Sequence, residues 1–405
     1  MHPRVEDALH EWAWLIYQRG DYAAAAQQYR EDLAMRQALL GNEHPQVATS
    51  LGNLARMLDE KGDYDEAEQL HLEELQMLRK LKGDEHPDVA LSLYNLAGSF
   101  AARGDWAAAV PLLQDALAIA RKQPEFDEAR GALLLHHLAL CLDGTGNPAE
   151  ALPHAQESIA IYRQQPERDD FEYAHALKVL AQVLCALREF DEAEKAARES
   201  VAIYRENESW PPHARNFHRD AVAILAKTLV DAGRPDEAIL LWREFVDELR
   251  RLLPAGDLIL AHTLAWFGAL LVDQDKDAEA EPALRECAAI YEKALQPDAE
   301  NYWWLASARS MLGEALAGQA ATLIESDALA AISKFTEAEL HLVESVNYLT
   351  RNADRIPQDR RAEKIRQSLQ RTISLYESWD AVAPESGKAD RAAEWRAEMQ
   401  RLVGF

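Results

Sequence analysis

The feature that most restricts this chain is a period. Gly41-Asn42-Glu43-His44-Pro45-Gln46-Val47-Ala48 returns 42 residues later as Gly83-Asp84-Glu85-His86-Pro87-Asp88-Val89-Ala90. Asn53-Leu54-Ala55 likewise returns as Asn95-Leu96-Ala97, and a shortened copy, His2-Pro3-Arg4-Val5, stands 42 residues before the first. A fixed period of this size means that each segment is one supersecondary unit, unable to bury its own apolar face alone and obliged to stack on its neighbours. A second landmark keeps the same phase. Gly20, Gly62, Gly104 and Gly146 are 42 residues apart, Arg188 follows after 42, Gly233 after 45 and Asp275 after 42.

Apolar residues flank each landmark at spacings of three and four, which is helical periodicity. Before Gly62 they are Leu51, Leu54, Ala55 and Leu58; after it they are Ala67, Leu70, Leu75 and Leu78. The unit therefore reads helix, Gly-Asp-aromatic turn, helix. Glycine supplies the positive φ at which a helix stops, aspartate can cap the next helix, and the aromatic packs between the two. At the other junction, proline cannot continue a helix but suits a first helical turn. Gly41 thus closes one helix, Pro45 opens the next, and His44 and His86 are turn residues. Small residues mark where paired helices should cross. On the inner helices these are Ala13, Ala55, Ala97, Ala139, Ala181, Ala226, Gly268 and Gly313; on the outer helices they are Ala25, Ala67, Ala109, Ala151, Ala193, Ala238, Ala280 and Ala338.

An inner small residue, a Gly-aromatic turn and an outer alanine form a pattern that resembles the tetratricopeptide repeat from about residue 4 to about residue 350. The Gly-x-Glu-His-Pro-x-Val-Ala and Asn-Leu-Ala elements are similar to the kinesin-light-chain type of that repeat. The resemblance implies an all-α, right-handed superhelical solenoid. Eight units are expected near residues 4–40, 45–82, 87–122, 127–165, 170–206, 214–253, 257–295 and 301–350. The last carries an Ala-rich insert at 320–333 that should lengthen both helices, cap the second at Ser326-Asp327 and project. Residues 358–405 read as a C-terminal capping helical pair. That tail, with Ser374-Leu375-Tyr376-Glu377-Ser378-Trp379 and Ala392-Ala393-Glu394-Trp395, resembles the C-terminal end of bacterial Ser/Thr kinases that carry such repeats. The chain holds no Gly-rich phosphate loop, His-Arg-Asp or Asp-Phe-Gly element of the kinase itself. It opens in mid-motif at His2-Pro3, so either a segment precedes it or its first helix is an unusual cap.

Composition narrows the partners. The formal net charge is −26 and the pI is near 4.9, with no basic patch to offset them, which argues against a nucleic-acid phosphate backbone. The acidity fits solvated helix faces, a partner with basic segments, or both. No apolar run approaches a membrane span, and the N-terminus lacks a signal pattern, giving a cytoplasmic reading. Cys141, Cys185 and Cys287 are odd in number and far apart, and are expected as buried free thiols.

No residue constellation reads as catalytic, and no cofactor is expected. His136 and His137 are adjacent, so their side chains leave a helix about 100° apart and rarely share a metal; a groove-lining or core role is expected instead. Acidic pairs such as Asp65-Glu66 recur in almost every unit, as N-terminal helix charges do. The resemblance places a bound extended peptide in a concave groove lined by inner helices. Counting from each landmark puts His10 and Trp14 on that face, then Asn53 and Arg56, Tyr94 and Asn95, His136, His137 and Leu140, Lys178 and Gln182, Lys227, and Trp266. Asn53 and Asn95 match the asparagines that hold a peptide backbone in the kinesin-light-chain type; equally, they could bridge neighbouring repeats. Arg56, Lys178 and Lys227 are cations that suit acidic side chains or a C-terminal carboxylate. The reading is a non-enzymatic scaffold for protein or peptide partners. Its alternative is the regulatory or substrate-recruiting region of a bacterial Ser/Thr kinase or other signalling protein. Self-assembly remains open.

Overall fold

The computed structural model describes residues 22–123, 127–206, 214–297, 299 and 301–403. Among these residues all regular structure is helical. A first unit, ending at Ala232, holds α1 (Tyr22–Leu40), α2 (Pro45–Lys61), α3 (Tyr64–Lys82), α4 (Pro87–Ala102), α5 (Trp106–Arg121), α6 (Glu128–Gly144), α7 (Pro148–Gln164), α8 (Asp170–Ala186), α9 (Phe190–Glu206) and α10 (Ala214–Asp231). A second unit, starting at Gly233, holds α11 (Pro235–Leu252), α12 (Leu258–Asp273), α13 (Asp277–Ala294), α14 (Trp303–Leu323), α15 (Ala328–Arg351), α16 (Gln358–Val382) and α17 (Lys388–Val403). Within each unit, sequential helices pack as antiparallel hairpins, and inner helices touch the next inner helix, as α2 does α4, α6 does α8 and α12 does α14. This is the stacked-hairpin solenoid architecture that the period implies.

The Gly landmark is a repeated helix stop. At Gly62 (φ 92°) the glycine N–H donates to Asp59 O at 3.0 Å and the next N–H, from Asp63, donates to Leu58 O at 2.9 Å. This satisfies two of the carbonyls that a helix end leaves free. The same pair of bonds closes α8 at Arg188 (φ 64°) and α12 at Asp275 (φ 55°), where no glycine is present. The two positions keep the left-handed turn at a steric cost that glycine avoids.

The His-Pro junctions do more than interrupt. The Nδ1 of His44 accepts from the Gln46 N–H at 3.2 Å, and that of His86 from the Asp88 N–H at 3.1 Å, so each imidazole is the N-cap of an inner helix. The Asp caps expected after each glycine are uneven. Asp105 accepts from the Ala108 N–H at 3.2 Å, whereas Asp63 makes no capping bond and turns to Lys61 instead.

The core follows the small residues. All fifteen of the expected crossing positions that lie in described residues are buried, Ala25, Ala55, Ala67, Ala109, Ala139, Ala151, Ala181, Ala193, Ala238, Ala280 and Ala338 with no exposed surface at all; Ala13 lies outside the described residues. A Cβ added at Gly313 would sit 2.6 Å from Leu342 Cγ and 3.1 Å from the Ala338 carbonyl, so that crossing has no room for one. The three cysteines are buried and unbridged. A polar island interrupts the core of the first unit: His71 lies between Asp59 and Glu74, while Ser99 donates to Asp59 Oδ1 at 2.6 Å and Ser92 to Glu74 Oε2 at 3.1 Å. Gly52 leaves space for the Glu74 carboxylate, which a Cβ there would approach to 2.4 Å.

The insert lengthens α14 and α15 to 21 and 24 residues, against 17 in α6 and α7. Asp327 caps α15 by accepting from the Ala330 N–H at 3.0 Å. The lengthened hairpin is tied to α13, since Gln319 donates to Glu281 Oε2 at 2.7 Å and Lys334 pairs with the same carboxylate at 3.0 Å. Leu329, near its tip, is 82% exposed. In the tail, α16 packs on both α14 and α15, and Trp379 stacks on Phe335 with ring centroids 5.5 Å apart.

Candidate functional site

The inner-helix face of the first unit carries most of the residues singled out from the sequence. Asn53 and Arg56 lie on α2, and Tyr94 and Asn95 at the matching turn of α4; both asparagines and Tyr94 are half-buried, and Arg56 is exposed. Among the described residues, the side chains of Asn53, Asn95 and Arg56 make no hydrogen bond or ion pair. On α8, Gln182 is committed to Asp143 Oδ2 at 2.7 Å. On α10, Lys227 is exposed but its ammonium is held by Asp231, one turn on. Leu140 is half-buried on α6. Trp266 belongs to the second unit, where it is 44% exposed and meets Trp242 edge-on. His10 and Trp14 lie outside the described residues.

Of the groove-lining and core roles expected for His136, its burial fits the core one. It has no exposed surface, because α6 turns it toward α8 instead of toward solvent. The 100° between adjacent helical side chains does not keep the two rings apart either: the centroids of His136 and His137 are 4.3 Å apart. A third imidazole, His175 on α8, joins them at 5.2 Å from His136 and 5.6 Å from His137. One ring nitrogen of each of the three lies within 4.8 Å of the others. Tyr94 reaches in from α4, its hydroxyl 3.3 Å from His137 Nε2. Phe217 of α10 closes the other side, 5.4 Å from His175, with the Lys178 ammonium 5.9 Å from its ring centre. Glu172, on the first turn of α8, places Oε2 3.7 Å from His136 Nε2.

His175 and Glu172 escape a count that takes each unit by its landmark. His175 is three residues before Lys178, and so one turn up the same helix face; that spacing is the signal by which it could have been found.

The electrostatics follow from burial. Burial, aided by His137 and Lys178, holds His136 well below the usual imidazole range. Burial likewise brings His137 down to about 4, and burial with Lys178 depresses His175. The Glu172 carboxyl is pushed up to about 7 by burial and by Asp169, and the Lys178 amine is lowered by burial, with Asp220 opposing. At neutral pH the three imidazoles are therefore uncharged and each keeps one lone pair. For His137 the tautomer is fixed. Nδ1 lies 3.0 Å from the Leu133 carbonyl, which can only accept, so Nδ1 carries the proton and Nε2 the lone pair. His136 has at most the Ala132 backbone to bond to, which leaves at least one buried ring nitrogen unsatisfied, and the buried Oε2 of Glu172 has no hydrogen-bond partner among the described residues.

Stacked hairpins with side chains displayed along the inner helices define a class, the helical-repeat interaction scaffold. Residues 4–80, 60–122 and 132–206 match a family model described as tetratricopeptide repeat, and residues 260–298 match a second model of the same description. The chain belongs to the tetratricopeptide-repeat family, whose members generally mediate protein–protein interactions and generally act as non-enzymatic scaffolds. Among solved structures it is similar to a Podosopora anserina protein described as a kinesin light chain with nearly identical TPR-like repeats (25% identity, 52% of this chain and 99% of that one, TM-score 0.44). It is also similar to BtubC from P. vanneervenii (18% identity, 56% and 88%, TM-score 0.46). A signal transduction ATPase with a tetratricopeptide-repeat sensor, from Pyrococcus horikoshii, shares the fold at 13% identity over 94% of this chain and 54% of that one, with a TM-score of 0.57. No curated protein matches the chain. No helix among the described residues is long and apolar enough to cross a membrane.

Proposed function

We propose that the chain is a protein-interaction scaffold that holds an extended peptide or partner segment along the inner helices of its first unit. One observation carries this reading: Asn53 and Asn95 occupy the same register on α2 and α4, and their amides are uncommitted within the described chain. A carboxamide can donate to a peptide C=O and accept from its N–H at once, and two such groups in one register match an extended backbone. Arg56, exposed one turn beyond Asn53, adds a cation for an acidic side chain or a C-terminal carboxylate. The overall charge of −26 favours basic segments elsewhere in the same partner.

The test is an affinity pulldown with the chain and with its Asn53→Ala/Asn95→Ala variant, alongside melting curves. Loss of the wild-type partner at an unchanged melting temperature supports the reading. Retained binding with a lowered melting temperature makes the asparagines structural and removes it.

A further inference from the structure

We infer that His136, His137 and His175, with Glu172, form a site for a divalent transition metal of the zinc type, joining inner helices α6 and α8. This stands apart from the peptide reading, since it uses none of the asparagines.

Three observations carry it. The first is convergence: one nitrogen from each of three imidazoles falls within 4.8 Å of the other two. Tetrahedral zinc holds histidine nitrogens at about 2.0–2.1 Å, which puts the nitrogens about 3.4 Å from one another. Closing separations of up to 4.8 Å to that value takes a displacement of about 1 Å at each nitrogen.

The second is unmet bonding capacity. His136 is fully buried and finds at most the Ala132 backbone as a partner, so at least one ring nitrogen is unsatisfied, and Oε2 of Glu172, 3.7 Å from its Nε2, has no hydrogen-bond partner among the described residues. Buried polar atoms are nearly always satisfied, so an orphan needs a partner such as a water or an ion. A cation held by the three imidazoles would engage a His136 nitrogen, and the neighbouring Glu172 carboxylate would offset its charge.

The third is the outer layer. The Leu133 carbonyl holds Nδ1–H of His137 and leaves the lone pair on Nε2, where it accepts from the Tyr94 hydroxyl at 3.3 Å; a backbone carbonyl behind the ring is common for metal-binding histidines. Tyr94 now borders that lone pair and is placed to hydrogen-bond a ligand once the metal displaces it.

Imidazole with one carboxylate selects zinc, cobalt or nickel over calcium or magnesium, which take oxygen ligands. The opposing group is Lys178, one turn beyond His175. It acts on all three imidazoles, and Asp220 supplies a counter-charge.

The experiment is a Co2+ titration of the full chain, free of any affinity-tag histidines, followed by visible absorption, with Zn2+ used in competition and in melting curves. Expected are the intense d–d bands of four-coordinate cobalt at one equivalent, their bleaching by Zn2+, and a raised melting temperature with either metal. His175→Ala should weaken binding by more than about 100-fold and Glu172→Gln by about tenfold. His175→Gln, which keeps size and polarity, serves if the alanine variant does not fold, with the same expected loss. Absent bands, or bands that persist in the His175 variants, would overturn the site. Unchanged affinity in Glu172→Gln would overturn the carboxylate's place in it.

Discussion

His71 Nε2 lies 3.0 Å from Asp59 Oδ2, with no exposed surface on the histidine. Glu74 Oε2 is 3.5 Å from the other ring nitrogen. Burial by itself would lower the imidazole, but the two carboxylates outweigh it and the group ends up above its ordinary 6.5. A raised folded value means that the contribution is complete below the unfolded value and is lost as pH rises through the folded one. The wild type should therefore lose stability, relative to His71→Gln, on going upward from about pH 6.5. Urea unfolding across that range measures it, and a constant difference between the two proteins would contradict the assignment. At pH 6 the variant should be weaker by on the order of 3 kcal/mol, because the buried Glu74 and the half-buried Asp59 lose their shared partner.

Arg188 and Asp275 stand where other repeats have glycine, and both pay for a left-handed conformation. Arg188→Gly should raise stability by about 1 kcal/mol, since a side chain in that region costs about 1–2 kcal/mol and glycine's added unfolded-state entropy offsets part of the gain. Asp275→Gly should gain less, because aspartate tolerates the region better. Denaturation midpoints decide the order; a loss at Arg188 would mean that its approach to the Phe190 ring, 5.7 Å to the centroid, outweighs the strain.

Two helical glycines should respond in opposite senses. Gly98 on α4 has nothing within 4 Å of an added Cβ, so Gly98→Ala should stabilise by about 0.5–1 kcal/mol. Gly313→Ala should destabilise by about 1–3 kcal/mol, since its Cβ would meet Leu342 and the Ala338 backbone. Chemical unfolding of the two single variants gives both signs in one comparison.

Outer helices are linked by a ladder of exposed ion pairs 36 residues apart: Arg30–Glu66, Arg121–Glu157 and Arg163–Glu199 in the first unit, Arg243–Glu279 and Arg250–Glu286 in the second. Exposed pairs contribute roughly 0–1 kcal/mol each. Arg121→Ala should shift stability by less than about 1 kcal/mol, and less again at high salt. A larger, salt-insensitive loss in a thermal melt would show that the guanidinium stem packs.

Much of the scaffold was legible because its causes are local. The Gly62 and Gly104 stops depend on φ, the Pro45 and Pro87 starts on a missing N–H, and the alanine crossings on side-chain volume; each is a property of one residue type at one phase. The capping role of His44 and His86 was not legible, since imidazole is a rare cap and its Nδ1 must be seen against the next turn. The site was legible by helix and by face, as Asn53, Tyr94 and Asn95 illustrate. What went unread was commitment: nothing in the spacing says that Gln182 is spent on Asp143 or that Lys227 is held by Asp231.

The period alone determined an all-helical stack of hairpins, because a unit that cannot bury its own face must repeat against a neighbour. Only the tertiary structure decided that His136 turns inward and that His175, 39 residues further on, closes on it and on His137. Phase fixes which face of a helix a residue occupies. The rotation and separation of adjacent helices, which decide whether two faces meet, are set by how the alanine crossings and the large side chains between them fill the interior, and that is a property of the packed pair rather than of either sequence segment.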